Sequence, residues 1–342
     1  MIAMTFKLGT FSIAGCIPFP GMLLEGRVVS LRAVGQSLAA SGRPLLGSDS
    51  MLSLLGSWDH NWPLLQEVAA ALTHSRLPEL AAHGAPLESL SVHAPIPEPR
   101  HIYCSGANYK KHVVQIIIAQ ASEETRGMSA EERRVFGQRK MDERARAGTP
   151  YFFLKAPSTV VGPADPIVLP ADAEQSDWEL ELAVVMGRTA RHVAREQALD
   201  YVAGYTIAND LTRRECVNRS PDDVPEMGMN WVAAKSAPTF LPLGPYLTPA
   251  AFVGDPQRLQ IRLSLNGETM QDESTADMIF GVSRLIEYLS SFVALQPGDL
   301  ICTGSPAGNG AHYRRFLRPG DVLEGNISGL GTQRNPCVEG QR

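Results

Sequence analysis

The sequence lacks several features that would each assign a function class. Its five cysteines, Cys16, Cys104, Cys216, Cys302 and Cys337, are scattered and form no C-x-x-C pair. A zinc ribbon or a disulfide scaffold needs close, paired spacing, so these read as reduced thiols of a cytoplasmic protein. No Gly-Lys dipeptide occurs, which excludes a Walker A loop, and no G-x-G-x-x-G follows a strand-like run, so a dinucleotide fold has no anchor. No apolar run reaches the roughly 18 residues of a transmembrane helix. There is no basic excess either: 31 Lys and Arg stand against 36 acids, a net charge of −5. Nucleic acid and anionic membrane are therefore not expected partners. Ser12-Ile13-Ala14-Gly15-Cys16 has the form of a lipoprotein cleavage box. The apolar stretch before it is short and broken by Gly9, Thr10 and Ser12, unlike a secretory core segment. Ser305, in Thr303-Gly-Ser-Pro-Ala-Gly308, lacks the glycine two residues earlier that a nucleophile elbow requires.

What is present is a globular composition, 44% hydrophobic and 20% charged, with 30 glycines and 25 prolines. That balance favours a turn-rich, strand-rich fold. Residues 1–95 read as a small N-terminal domain: a loose alternation over Phe6–Ile13, a strand over Gly26–Val34 and a helix over Pro63–His74. The Pro-rich segment Ala94–Arg100 marks a boundary. Over 100–342 strands dominate, at Ile102–Ser105, Pro166–Pro170, Trp178–Met186, Tyr201–Asp210, Leu259–Leu265, Asp299–Thr303 and Asp321–Ser328. Asn266-Gly267 is a two-residue hairpin turn, because a type I′ turn wants positive φ at both central positions. A long helix is expected over Asp277–Phe292. Residues 116–148 form a charged insert, in which 13 of the 25 residues from Ser122 to Arg146 carry charge. Ser129 and Glu132 have capping-box spacing, so a surface helix starts there. The insert is either a solvated excursion or a lid over a nearby site.

The strongest anomaly is Trp178-Glu179-Leu180-Glu181-Leu182, leading into an apolar run. In a strand, residues two apart face the same way, so Glu179 and Glu181 share a face about 7 Å apart at the backbone. Like charges so placed are either solvated on an exposed edge or neutralised by cations. A second strand delivers Asp210 at its end, with a connection long enough to make the two strands neighbours. Three carboxylates form a hard-oxygen site suited to Mg2+ or Mn2+, and no histidine lies close by to favour zinc.

Together these motifs resemble the fumarylacetoacetate hydrolase family. The resemblance rests on Gly106-Ala-Asn-Tyr-Lys-Lys-His112, Phe153-Leu-Lys-Ala-Pro157, Asp177-Trp-Glu-Leu-Glu-Leu182 and Gly204-Tyr-Thr-Ile-Ala-Asn-Asp210-Leu-Thr-Arg213. Trp231 through Lys235, Pro242–Pro245, Asn266-Gly267 and Pro297-Gly-Asp299 through Gly308 follow in order. It implies a mostly β protein with α, a mixed β-sandwich roll preceded by a smaller N-terminal α/β domain. It also implies a divalent metal, Mg2+ or else Mn2+ or Ca2+, on Glu179, Glu181 and Asp210, as Lewis acid and template for a 2-oxo acid.

On the same resemblance His112 is the base that activates water and Lys235 offsets developing negative charge. Gln115 stands where many relatives have a glutamate beside that histidine. A neutral amide can hold the imidazole but lends it no charge, so Glu123, Glu124, Glu131 and Glu132 become candidates for the missing acid. Tyr109, Lys155 and Ser305 are expected to contact substrate, and Val217 stands near a position where many relatives carry a glutamine. The implied function is hydrolysis of a C–C bond in a 2,4-dioxo acid, acylpyruvate- or fumarylpyruvate-like, by a cytoplasmic homodimer. The alternatives are a decarboxylase or isomerase on the same site, or a metal-binding homologue without catalysis.

Overall fold

The computed structural model describes residues 5–120, 122–218 and 228–341. Among these, three larger sheets organise the chain. The central one has six strands, in the order Thr248–Pro249, Val202–Asn209, Leu180–Met186, Leu300–Cys302, Ile102–Gly106 and Tyr151–Lys155. A C-terminal sheet of five runs Glu268–Ser274, Gln260–Leu265, Val322–Ile327, Gly331–Glu339 and Ile167–Leu169. An N-terminal antiparallel sheet of five is built from Lys7–Ser12, Phe19–Leu24, Arg27–Ser30, Ala85–Pro86 and Ser91–Val92. The chain is a mixed α/β protein, as expected.

The strand Leu180–Met186 is buried along its whole length, which explains its uninterrupted apolar composition. Alternation sends Leu180, Leu182, Val184 and Met186 to one face and Glu181, Ala183 and Val185 to the other. The first set packs with Ile261, Leu263, Leu323 and Ile327 of the C-terminal sheet and with Leu285 and Leu289 of the helix Val282–Ser290. Gly325 permits that approach, since a Cβ there would lie 2.6 Å from Leu180 Cδ1. Ala183 and Val185 join Cys104, Cys302 and, from the N-terminal part, Leu8, Met22, Leu31 and Leu65. Both faces of the central sheet are thus covered, and Glu181 is carried into a dry interior.

Several expected elements hold and three are corrected. Asn266 and Gly267 have φ of 53° and 86° between paired strands, a type I′ arrangement. Ser129 and Glu132 form a reciprocal capping box at the start of the helix Ala130–Ala147. The expected strand Gly26–Val34 ends at Ser30, and Leu31–Ala40 is a helix whose Leu31 and Val34 face the core. The helix expected over Asp277–Phe292 spans only Val282–Ser290. Its first residues are held extended because the Asn108 carboxamide bonds Phe280 through both its N–H (2.9 Å) and its C=O (3.0 Å). The strand expected from Trp178 begins at Leu180, because the Glu179 N–H is taken by Asn209 Oδ1 at 2.9 Å. All five cysteines are free, and among the described residues no helix is long and apolar enough to cross a membrane.

Asp321 ties the C-terminal sheet to its flanking loop. It accepts a fork from Arg315 Nη2 at 2.7 and 2.8 Å, the Arg318 N–H at 2.7 Å and Asn266 Nδ2 at 2.8 Å. Burial pushes its carboxyl up, but Arg315, Asn266 and the Arg318 N–H outweigh this and hold it below the ordinary 3.8. A depressed carboxylate stabilises fully above its unfolded pKa and loses that contribution as pH falls through the folded one. Asp321→Asn should therefore cost about 2 kcal/mol at neutral pH. The gap in thermal midpoint between wild type and variant should narrow below about pH 4. A gap that stays constant on acidification would show that the carboxylate charge plays no part.

Candidate active site and metal centre

Antiparallel pairing of Leu180–Met186 with Val202–Asn209 sets Leu180 opposite Asn209. The ladder continues one step further, through the Asp210 N–H to the Glu179 C=O at 2.8 Å. Glu179, Glu181 and Asp210 therefore converge, each offering one oxygen within 4.8 Å of the others. Glu181 and Asp210 are 2% and 1% exposed, where an uncompensated charge would be very costly.

Three cations answer this. Lys235, at the end of the helical turn Trp231–Lys235, donates to Glu179 Oε2 and Asp210 Oδ2, each at 2.8 Å, and to the Asp210 C=O at 2.9 Å. Lys155, at the end of the edge strand Tyr151–Lys155, donates to Asp210 Oδ1 at 2.7 Å and to the Leu211 C=O at 2.9 Å. Arg214 bridges Glu179 Oε1 and Asp177 Oδ2 at 2.5 and 2.8 Å. Burial alone would raise the Glu179 carboxyl, but Lys235 and Arg214 reverse that and hold it below the usual range. Burial likewise opposes the charge of Lys235, and Asp210 and Glu179 more than restore it. Glu181 differs. Burial and the neighbouring Asp210 charge push its carboxyl up, and its hydrogen-bond donor is the Gly304 N–H at 2.7 Å. No ion pair among the described residues reaches it.

His112 lies on the helix Lys110–Ala119, whose entry is fixed by the Lys111 N–H on Asp277 Oδ2 at 2.9 Å. Burial foremost lowers its pKa to about 4; Glu179 pulls the other way, while Arg214 and Lys235 add to the lowering. The imidazole is thus neutral at pH 7. His112 and Gln115 line a cavity of about 460 Å³ together with Arg214, Val217, Asn309 and His312. His112 Nδ1 and Gln115 Oε1 are both buried without a partner, so the hydrogen bond expected to hold the imidazole is not made. Three of the four insert acids are engaged elsewhere, Glu131 with Arg134, Glu132 in the capping box and Glu124 with Lys140, and Glu123 is exposed. The carboxylate whose field reaches His112 is that of Glu179.

The remaining expected residues sit close by in different settings. Tyr109 is fully buried, its phenol pushed up by burial and the Glu181 charge. Ser305 accepts from Gln271 Nε2 at 2.9 Å, and Lys155 is turned onto Asp210 and the Leu211 C=O. None of Tyr109, Lys155 and Ser305 lines the cavity. The insert helix Ala130–Ala147 packs Gly137 against Val114 and Ile117 of the His112 helix; of the insert 116–148, Ile116, Ala119 and Gln120 line the cavity, and none of the residues 122–148 does.

Sequence reasoning stopped one residue short at Arg213, which pairs outward with Asp172 and Glu215. The functional neighbour is Arg214. It also overlooked Asp177, which accepts the N–H groups of Trp178, Gly310 and Ala311 besides Arg214. An adjacent Arg pair three and four residues after Asp210 was the available signal.

The donor set fits a divalent cation. Three carboxylate oxygens are the hard ligands that Mg2+ or Mn2+ take, and Glu181 is a buried carboxylate with no cationic side chain of its own. Residues 101–338 match the fumarylacetoacetate hydrolase C-terminal domain family. The chain is 31% identical over 329 residues to a mitochondrial oxaloacetate tautomerase of Xenopus laevis, covering 94% of this chain and 87% of that one. It is 43% identical over 193 residues to a 2,4-didehydro-3-deoxy-L-rhamnonate hydrolase of Sphingomonas sp. (strain SKA58), covering 56% of this chain and 65% of the relative. A solved maleylpyruvate hydrolase from Sphingobium sp. SYK-6, in complex with manganese(II) and pyruvate, aligns with a TM-score of 0.69 at 28% identity, over 98% of this chain and 100% of that one. On this match, and on the carboxylate cluster that accompanies it, the chain belongs to the fumarylacetoacetate hydrolase family.

Proposed function

We propose that the protein is a metal-dependent hydrolase that cleaves a C–C bond in a 2,4-dioxo acid of the acylpyruvate type. The observation that carries this reading is one constellation: Glu179, Glu181 and Asp210 converge beside a neutral His112 that opens on a cavity. Glu179, Glu181 and Asp210 would hold the cation, with Mg2+ first and Mn2+ or Ca2+ as substitutes. When bound, the ion supplies Lewis-acid polarisation and a template for the carboxylate and 2-oxo group. A similar chain solved with manganese and pyruvate supports that assignment.

The residues of this chain would then divide the work. Lys155 and Lys235 clamp the two oxygens of Asp210 from separate elements and fix the ligand geometry. His112, neutral at working pH, takes a proton from water as the water oxygen adds to the distal carbonyl. The bond from that carbon to the methylene breaks, and its electron pair leaves with the 2-oxo acid fragment, which is then protonated. Lys235 and Arg214 offset the negative charge that develops. Gln115 positions no charge on His112, and Tyr109 and Ser305 shape the pocket behind the ligands. A cytosolic homodimer is part of the same reading.

A second reading is favoured by one feature, the absence of a carboxylate at Gln115. A base supported only by Glu179 could move a proton between carbon and oxygen without adding water, which is tautomerase or isomerase chemistry. The chains similar to this one include hydrolases, isomerases and a tautomerase.

With Mg2+ or Mn2+, acetylpyruvate and fumarylpyruvate should yield pyruvate plus a carboxylic acid, followed by loss of enol absorbance and product identification. Enol–keto interconversion of oxaloacetate without cleavage of either diketo acid would replace the hydrolase by a tautomerase. Release of pyruvate from oxaloacetate alone would mean a decarboxylase. Glu181→Gln should weaken Mn2+ binding at least about tenfold by titration calorimetry, and unchanged affinity would remove the carboxylate argument.

His112→Asn should lower kcat by roughly 100- to 10,000-fold. In the metal-free protein the His112 imidazole, followed by NMR, should stay neutral on acidification until about pH 4. Protonation at or above the ordinary 6.5 would show that burial does not hold the base neutral.

A further inference from the structure

The helix that carries His112 is poorly made to stand alone. It is ten residues long, Lys110–Ala119, and five of them are valine or isoleucine, whose branched side chains are stiff in a helix. No side chain caps its N-terminus and no acid sits in its first turn. Lys110 and Lys111 instead put positive charge at the end where the helix dipole disfavours it. Helices this short are marginal in water without tertiary support. The insert helix Ala130–Ala147 is the opposite case: 18 residues, a capping box, Glu131 and Glu132 in the first turn, Arg144 and Arg146 in the last.

The two helices meet along matched stripes. His112, Gln115, Ile116 and Ala119 line the cavity, and Lys110, Val114 and Ile117 fall on the opposite face of the same helix. Lys110 Nζ donates to Asp142 Oδ1 at 2.9 Å. Gly137 seats so closely that a Cβ there would stand 3.3 Å from Ile117 Cδ1 and 3.4 Å from Val114 Cγ2. On the insert helix Arg133, Gly137, Met141 and Arg144 share one stripe, and its two arginines reach the two ends of the His112 helix. Arg133 Nη1 donates to the Ile118 C=O at 3.1 Å, one of the carbonyls that a helix C-terminus leaves without a partner. Arg144 Nη1 donates to the Ala107 C=O at 2.5 Å, just before the helix begins. Eleven residues of helix span roughly 16 Å, against about 15 Å for ten, so the clamp fits its load. The geometry points to the insert helix as a splint for the His112 helix, with Arg133 and Arg144 as positioning residues that hold the imidazole at the cavity. It acts from behind, since none of residues 122–148 lines that cavity. This inference rests on the proposed reading of His112 as the base.

Hydrogen exchange and kinetics on the full-length protein with Mn2+ test it together. The double variant Arg133→Met/Arg144→Met should speed exchange of the 113–119 amides at least about tenfold. It should lower kcat on acetylpyruvate at least about tenfold, with KM and Mn2+ affinity within about twofold of wild type. Arg133→Lys/Arg144→Lys, which can still donate to both carbonyls, should recover most of the loss. Arg134→Met removes a cation that pairs with Glu131 on its own helix and should change neither readout. Unaltered exchange in the double Met variant would overturn the splint and return the insert to a solvated excursion. Faster exchange with kcat intact would overturn it too. So would a fall in Mn2+ affinity that parallels kcat, because the damage would then lie at the carboxylates. Where wild type leaves acetylpyruvate uncleaved, the hydrolase reading fails and exchange alone decides: faster exchange in the double Met variant upholds the splint, and unaltered exchange overturns it.

Discussion

Three carboxylates brought together in a dry interior are the constraint on which this structure turns. Glu181 and Asp210 have almost no contact with water, and an isolated ionised carboxylate in such surroundings is untenable. The chain answers with three cationic side chains from three separate places: an edge strand (Lys155), a short helical turn (Lys235) and the segment after Asp210 (Arg214). Asp210 and Glu179 are each held by two of these cations, so the loss of one weakens a pairing without leaving either carboxylate wholly unpaired. Their distribution is uneven. Asp210 is held on both oxygens and Glu179 is held twice, while Glu181 receives only a backbone N–H. That imbalance leaves Glu181 as the one of the three with no ion pair among the described residues, its carboxyl pushed up by burial and by the Asp210 charge.

The burial is itself a consequence of how the central sheet is covered. Every residue of Leu180–Met186 is buried, which requires apolar neighbours on both sides. The C-terminal sheet serves the even-numbered face and the N-terminal part serves the other. Glu181 lies on the face shared with Ala183 and Val185, which pack with residues of the N-terminal part. Packing and electrostatics are one problem here.

This explains which features were legible from sequence. Period-two alternation and an apolar continuation place Glu179 and Glu181 correctly, and a strand ending in Asp210 is local information. The Asn266-Gly267 turn and the Ser129 capping box are local too, and both are found. What escaped was long-range. Asn108 reaches across the chain to hold Phe280 extended, so helix-like spacing before Val282 does not become helix. Leu31–Val34 fits a strand or a helix equally well by composition, and the sheet ends at Ser30. Arg213 and Arg214 are indistinguishable in sequence. The pairing of Thr212–Arg213 with Ser176–Asp177 decides that Arg214 turns towards Glu179 while Arg213 faces outward.

Asp177 connects the charge cluster to the cavity wall. Its carboxylate is fully buried and gathers the N–H groups of Gly310 and Ala311 on one side and the Arg214 guanidinium on the other. Arg214 passes to Glu179, and Glu179 is the carboxylate that acts on His112. The segment bearing Asn309 and His312 is therefore three charge-assisted bonds from Glu179. Such bonds are short and directional, so the position of this segment is tied to that of the Glu179 carboxylate. With a neutral residue at Gln115, the carboxylate among the described residues that acts on His112 is that of Glu179. The cavity wall and the carboxylate cluster are consequently joined through Asp177 and Arg214.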